Sequence, residues 1–181
     1  MKFARSGVLA TLIVAATAMP ALTRAADGTI TFTGQVTAQT CTINGGAGKD
    51  FTVALPPVSA SSLSVDGATA GRTPFKIVLT ACTSATGNVQ TYFEAGTTID
   101  TATGRLKNAT GTATKVQIGL LNSDATTAIT LGAAQAAQNS QSVAIASNAA
   151  TLNYFAQYVA TGGAAGVGTV NTSVMYTMSY Q

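Results

Sequence analysis

The 181-residue sequence contains no histidine and no tryptophan, only two cysteines and four prolines, and 8% charged residues. Each shortage excludes something. Without histidine, neither the usual serine triad nor the usual cysteine triad can be assembled. A metal site loses its commonest nitrogen ligand, and two cysteines are too few to replace it. Paired carboxylates remain as a route to glycosidic chemistry. However, Asp27, Asp50, Asp66, Asp100 and Asp124 mostly stand beside Gly, Ser or Thr in turn-like contexts, and Glu94 closes a strand before Gly96. These read as solvated charges. The run "GGAAGVG" lacks the closing Lys-Ser/Thr of a phosphate loop and is expected to leave the chain flexible there. Five tyrosines (Tyr92, Tyr154, Tyr158, Tyr176, Tyr180) have no tryptophan beside them, and core or interface packing is preferred to a sugar platform. The composition therefore points away from an enzyme and calls for no cofactor or metal.

Long apolar runs are also scarce, with one exception at the start. Lys2 and Arg5 precede "GVLATLIVAATAMPAL", and small residues follow in "TRAAD". This is the pattern of a secretory signal peptide, with Thr23 and Ala25 at the small positions of a cleavage site after Ala25. The run is short for a membrane span and is broken by Pro20, so no stable membrane insertion is expected after cleavage. Loss of residues 1–25 removes three of nine basic residues and leaves six against six acids, a net charge of zero. No basic cluster remains to suggest nucleic acid, and little charge opposes association of like chains. An exported chain meets an oxidising compartment, so a structural disulfide between Cys41 and Cys82 is the default.

What is present is alternation. Strands are expected at "TITFTGQV", "TCTI", "FTVALPPV", "TPFKIVLTAC", "NVQTYFEAG", "KVQIGLLNSDATTAITLG", "SVAIASN", "TLNYFAQYVATGG" and "TSVMYTMSYQ". Residues 59–71 and 100–113 read as loops and turns. The alanine-rich 131–142 reads as a loop or short helical turn, because it lacks a sustained helical face. Residues 59–70 and 132–141 are expected to be surface loops. Many short strands with glycine-rich turns imply an all-β sandwich or barrel in one domain.

The two ends of the mature chain carry apolar faces. Gly28, Ile30, Phe32, Gly34 and Val36 alternate with mostly polar residues, and Val174, Tyr176, Met178 and Tyr180 share one parity of the last strand. Such terminal strands either pair inside their own domain or meet between copies, the first strand of one chain filling a groove beside the last strand of another. Composition does not choose between these.

A resemblance does. "GTITFTG" followed by a cysteine, "TPFKIVLTAC", "KVQIGLLNSD", "NYFAQYVATGG" and the ending "YTMSYQ" occur in the order seen in major pilins of type 1-like chaperone–usher fimbriae. Gly168 stands fourteenth from the end, where that family carries a glycine upstream of the penultimate tyrosine, here Tyr180. The resemblance implies an incomplete immunoglobulin-like β-sandwich completed by donor-strand exchange. Residues 1–25 would be the signal peptide, 26–37 the donor-strand extension and 38–181 the pilin domain. It implies that Gly28, Ile30, Phe32, Gly34 and Val36 enter a neighbour's groove. Gly168, Val174, Tyr176, Met178 and Tyr180 would form the groove and chaperone-recognition strand. The implied partners are other pilin subunits, a periplasmic chaperone and an outer-membrane usher, and the implied destination is a surface fimbria supporting adhesion. Two other readings stand beside it: a minor or adaptor pilin, and a self-contained secreted β-sandwich that binds a ligand.

Overall fold

The computed structural model describes residue 31, residues 40–44 and residues 49–181. The signal segment and the donor positions Gly28, Ile30, Phe32, Gly34 and Val36 lie outside the described residues. Two units are distinguished, Met1–Gln35 and Val36–Gln181, and the following concerns the second.

Its strands are β1 Thr42–Ile43, β2 Thr69–Thr80, β3 Asn88–Phe93, β4 Ile99–Asp100, β5 Arg105–Lys107, β6 Val116–Leu121, β7 Ser142–Ala144, β8 Ala150–Ala160 and β9 Tyr176–Tyr180. Short 3-10 turns occupy Ala60–Leu63 and Gln135–Ala137. One sheet has six strands in the order β1-β2-β8-β6-β5-β4, and the other has three in the order β7-β3-β9. Every pairing is antiparallel.

The long β2–β8 ladder forms the spine. Ile77 faces Leu152 and Phe75 faces Tyr154 across it, so one parity of each strand points at the small sheet. That parity supplies Ile77, Leu79, Leu152, Tyr154 and Ala156, joined by Ile118, Leu120 and Leu106 from the neighbouring strands. The small sheet answers with Val89 and Phe93. A second, smaller cluster at one end gathers Leu63, Val116 and Ala160, with Val58, Ala165 and Val170 packed on it.

Two backbone details follow from residue type. The β2 ladder slips between Ala70 and Thr73, and Gly71 takes φ +65° at the slip. A Cβ there would meet the Tyr158 ring at 2.9 Å, so glycine lets the bulge lie against the ring. Pro74 sits inside β2. Thr80 pairs with β1, and the Val78 N–H donates to Asn44 Oδ1 on the same side. By alternation the nitrogen of Pro74 also faces that side, beyond the reach of two-residue β1, where no ladder bond is lost.

The expected strands in 73–82, 88–96, 115–121, 142–148 and 151–163 are present within a few residues. Four expectations are corrected. Residues 51–58 are extended, with Val53, Leu55 and Val58 turned inward, yet no ladder partner pairs them among the described residues. The turn-rich 100–113 holds the small β4–β5 hairpin, Asp100 opposite Arg105. The glycine-rich 162–169 is tied down rather than free: Ala165 N–H donates to Leu63 O, Gly166 N–H to Thr114 O and Ala113 N–H to Thr169 O. Residues 132–141 contain the short turn but are not simply a surface loop, since Gln138 is 0% exposed.

Candidate functional site

The site is the free edge of the last strand. Among the described residues, β9 pairs with β3 on one side only. Asn88 and Gln181 exchange two backbone bonds of 2.9 and 2.8 Å, and Glu94 N–H donates to Met175 O at 2.8 Å. In an antiparallel ladder bonded and non-bonded pairs alternate. The backbone groups of Met175, Thr177, Ser179 and Gln181 therefore face β3, and those of Tyr176, Met178 and Tyr180 face away.

The same parity continues upstream of β9. Ser173 O accepts from Thr98 Oγ1, and Asn171 O accepts from Ala109 N–H. Ser173 and Asn171 have the parity of the β9 residues that face β3. Thr172 and Val174 thus extend the open edge, giving five alternate residues over 172–180. Their backbone groups have no hydrogen-bond partner among the described residues.

The side chains of this parity turn inward. Val170, Val174, Tyr176, Met178 and Tyr180 are partly buried and pack against the main core. Thr172 shares the parity, and its hydroxyl oxygen is buried without a hydrogen-bond partner. Cys41, Ile43, Val53 and Leu55 pack against the same core. Tyr176 Oη donates to Lys49 O at 2.7 Å, and its ring meets Phe51 edge-on at a centroid distance of 6.2 Å. Phe51 then contacts Phe75, Phe75 contacts Tyr154, and Tyr154 contacts Phe93, a line of rings crossing the core. Burial raises the Tyr176 hydroxyl above its ordinary pKa, and nearby Asp50 adds to this. Burial also raises Tyr180, opposed by a backbone hydrogen bond from Cys41. Both phenols stay neutral and available as donors.

These contacts set residues 41 and 49–51 beside the last strand. Cys41 lies beside Tyr180, while Lys49 and Phe51 lie beside Tyr176. The Cys41–Cys82 disulfide is formed and fixes the first described stretch to the end of β2. Residues 40–44 and 49–58 therefore make one wall and residues 170–180 the other. Among the described residues, neither wall pairs its backbone with the other.

Of the expected groove residues, Val174, Tyr176, Met178 and Tyr180 are brought together on one wall. Gly168 is not on that strand. It lies in the preceding loop at φ +151°, where a Cβ would fall 2.6 Å from the carbonyl carbon of Thr112 and closer still to Ala113 N. Its glycine is explained by this close approach of two backbones.

Sequence reading missed several residues that hold the walls. Asn108 Oδ1 accepts from Gly111 and Asn171 N–H, and its Nδ2 donates to Ala113 and Thr169 carbonyls. It clamps the loop leading into the open edge. Thr172 was also missed, since a polar residue at an inward position carries no periodic signal; Phe51 shares the parity of Val53 and Leu55, but alternation does not reveal that its ring meets Tyr176.

The family model for type-1 fimbrial protein, A, matches residues 55–181. The chain belongs to that fimbrial family. This fimbrial subunit is 51% identical to the major fimbrial subunit SMF-1 of Stenotrophomonas maltophilia (strain K279a), over 90% of this chain and 98% of that one. It is 47% identical to the F17 fimbrial protein of Escherichia coli, over 93% and 95% respectively. Its fold matches the P pilus rod subunit PapA with a TM-score of 0.60 at 16% identity, over 78% of this chain and 99% of that one. A chaperone–usher pilus structure matches at 0.57 and 17% identity, over 86% and 96%. The fold is thus the immunoglobulin-like pilin sandwich, and the subunit is a structural component of fimbriae at the cell surface.

Proposed function

We propose that this subunit polymerises by donor-strand exchange as the bulk component of its fimbria, residues 26–37 of one copy completing the sandwich of the next. The observation that carries this reading is a match of length and parity. The open edge offers Thr172, Val174, Tyr176, Met178 and Tyr180, five alternate positions over nine residues. The donor segment offers Gly28, Ile30, Phe32, Gly34 and Val36, also five over nine. Antiparallel addition, the mode of every other pair in the domain, sets Gly28 towards Tyr180 and Val36 towards Thr172. Gly28, one of two glycines among the donor positions, then meets the bulk of Tyr180.

The energetics support it. Burying Ile30, Phe32 and Val36 contributes roughly 1.5–3 kcal/mol each. The unpaired edge groups gain main-chain bonds worth about 0.5–1.5 kcal/mol apiece. Donor and acceptor are different surfaces of one chain, so the contact is head-to-tail and does not close. The role is mechanical and adhesive, without turnover, as expected of a fimbrial family and a sequence without histidine.

The same open groove supports the rest of the route. After export to the periplasm and loss of residues 1–25, a chaperone strand occupies the edge. An outer-membrane usher then exchanges it for the next subunit's extension. An exposed apolar edge of this length is an aggregation hazard until covered, which is the physical need for such a chaperone.

The test is a mature chain lacking residues 26–37. Expected is a domain that folds with an added peptide "DGTITFTGQVTA", binds it in a one-to-one complex seen by native mass spectrometry, and does not polymerise. Failure to fold or to retain the peptide, with chaperone also supplied, would overturn the proposal.

A further inference from the structure

We infer that Val65 and Val167 form a docking patch for the body of the next copy, beyond the donor strand itself; this rests on the donor-strand reading above. Both side chains stand out of the surface, Val65 62% and Val167 85% exposed. Their segments are joined at one end of the sandwich. Ala165 N–H donates to Leu63 O at 2.9 Å, and Gly162 N–H to Asp66 Oδ1 at 2.7 Å. The loop carrying Val167 is also fastened to residues 112–114 through Gly166 and Thr169. Val167 is therefore presented on a held loop, not on a free tip. Asp66 and Lys115 lie in or beside these segments, the latter with its Nζ 3.2 Å from where a Cβ of Gly163 would lie. An apolar centre with a polar rim is the usual make-up of a protein contact.

The position of the patch identifies its occupant. Antiparallel addition brings the donor out of the groove past Thr172 and Val170. Val170 packs on the small cluster of Leu63, Val116 and Ala160, the same end that holds Val65 and Val167. Between Val36 of the donor and Cys41 of its own body only residues 37–40 intervene. Five Cα steps reach at most about 18 Å. The 11-residue β8 alone is about 36 Å long at roughly 3.3 Å per residue. The next body is thus tethered against this end and cannot swing to the far one.

The surface it presents is the pole around its own Cys41. β2 runs from Thr69, beside the Val65 bend, to Thr80 at the opposite pole, so the two ends of the domain face opposite ways. At the Cys41 pole, Thr83 N–H donates to Thr40 O, and the Asn148 side chain donates to Cys82 O. Segments 81–87 and 146–149 surround that pole and expose Ala81, Ala85 and Ala146. Small apolar side chains of this kind can accept two valines.

A benzophenone amino acid placed at position 167 of the full chain, in fibres assembled with chaperone and usher, tests the inference. Expected after irradiation is a subunit ladder whose cross-linked peptides come from 81–87 or 146–149 of a neighbour. Cross-links only to other surfaces, or fibres without a ladder, would overturn it. A second arm uses Val65→Lys with Val167→Lys, exposed positions whose change leaves the core untouched. Peptide capture by the truncated domain should be unchanged, while subunits leave assembled fibres in denaturant about tenfold faster, the effect of losing one valine-sized burial. Unchanged release would overturn the docking patch. Loss of peptide capture by the unsubstituted truncated domain would instead count against the donor-strand reading.

Discussion

Replacing Gln138 by leucine should destabilise the domain by about 2–4 kcal/mol, although neither a ladder nor a core contact of the usual kind is removed. The cause lies in β3. Its residues Val89, Thr91 and Phe93 direct their backbone groups away from β9, towards β7. β7 reaches only Asn88, Val89 and Gln90. At Phe93 the partner strand is missing, and the side-chain amide of Gln138 replaces it. Phe93 N–H donates to Gln138 Oε1 at 3.1 Å, and Gln138 Nε2 donates to Phe93 O at 2.7 Å. Phe93 and Gln138 are both buried. Leucine would leave one donor and one acceptor stranded, each costing roughly 1–3 kcal/mol, partly offset by its greater apolarity. The assay is guanidinium unfolding of the peptide-complemented domain at fixed peptide concentration. The midpoint should fall with little change in slope. A loss below about 1 kcal/mol would refute the idea that one side chain stands in for a strand.

Other substitutions probe the remaining joints. Asn108→Ala removes four hydrogen bonds and should cost about 2–3 kcal/mol, with faster amide exchange at Ala113 and Asn171. Gly168→Ala should lower the melting temperature well below that of Gly162→Ala, because a Cβ at 162 meets nothing within 4 Å while one at 168 strikes backbone; equal melting points would contradict the packing. Cys41→Ser should lower the unfolding free energy by about 4 kcal/mol on the loop-entropy account, for a bridge spanning 41 residues, read as a shift in denaturant midpoint. The Asp124 carboxyl is held well below its ordinary range by the Thr127 hydroxyl and the backbone N–H groups of Thr126 and Thr127. A depressed carboxyl adds stability above the unfolded pKa near about 4 and loses it as pH falls through the folded value. Carboxyl NMR should show Asp124 still ionised when exposed acids are protonated, and Thr127→Val should bring it back towards them.

The sequence was readable where one parity of a strand met a continuous core. Phe75, Ile77 and Leu79 announced β2, and Val174, Tyr176, Met178 and Tyr180 announced the inward face of the last strand, because alternation records burial directly. It was silent where partners are distant or polar. The β4–β5 hairpin has strands of two and three residues, too short to show a period among turn residues. Gln138 and Phe93 are 45 residues apart, and Asn108 and Asn171 are 63 apart; no local pattern signals such a bond. Residues 51–58 show the opposite failure. Their alternation correctly marked an inward face, but a face does not reveal whether the backbone finds a ladder. Thr172 hid the length of the open edge, since a polar residue at an inward position reads as an interruption.

The stand-in role of Gln138 also limits how many neighbours a subunit can recruit. It occupies the β3 backbone beyond the short strand β7, while Gln90 Nε2 donates to Ser140 O on the same flank at 2.6 Å. The outer strands of the large sheet, β1 and β4, have only two residues each, too short a template for another chain. Among the described residues, the β3 edge beyond β7 is thereby closed to a further strand. A particle with a single acceptor and a single donor has a valence of two and can only extend a line. On the donor-strand reading, a glutamine far from the groove thus closes one route to branching, and to the gelation that follows from it.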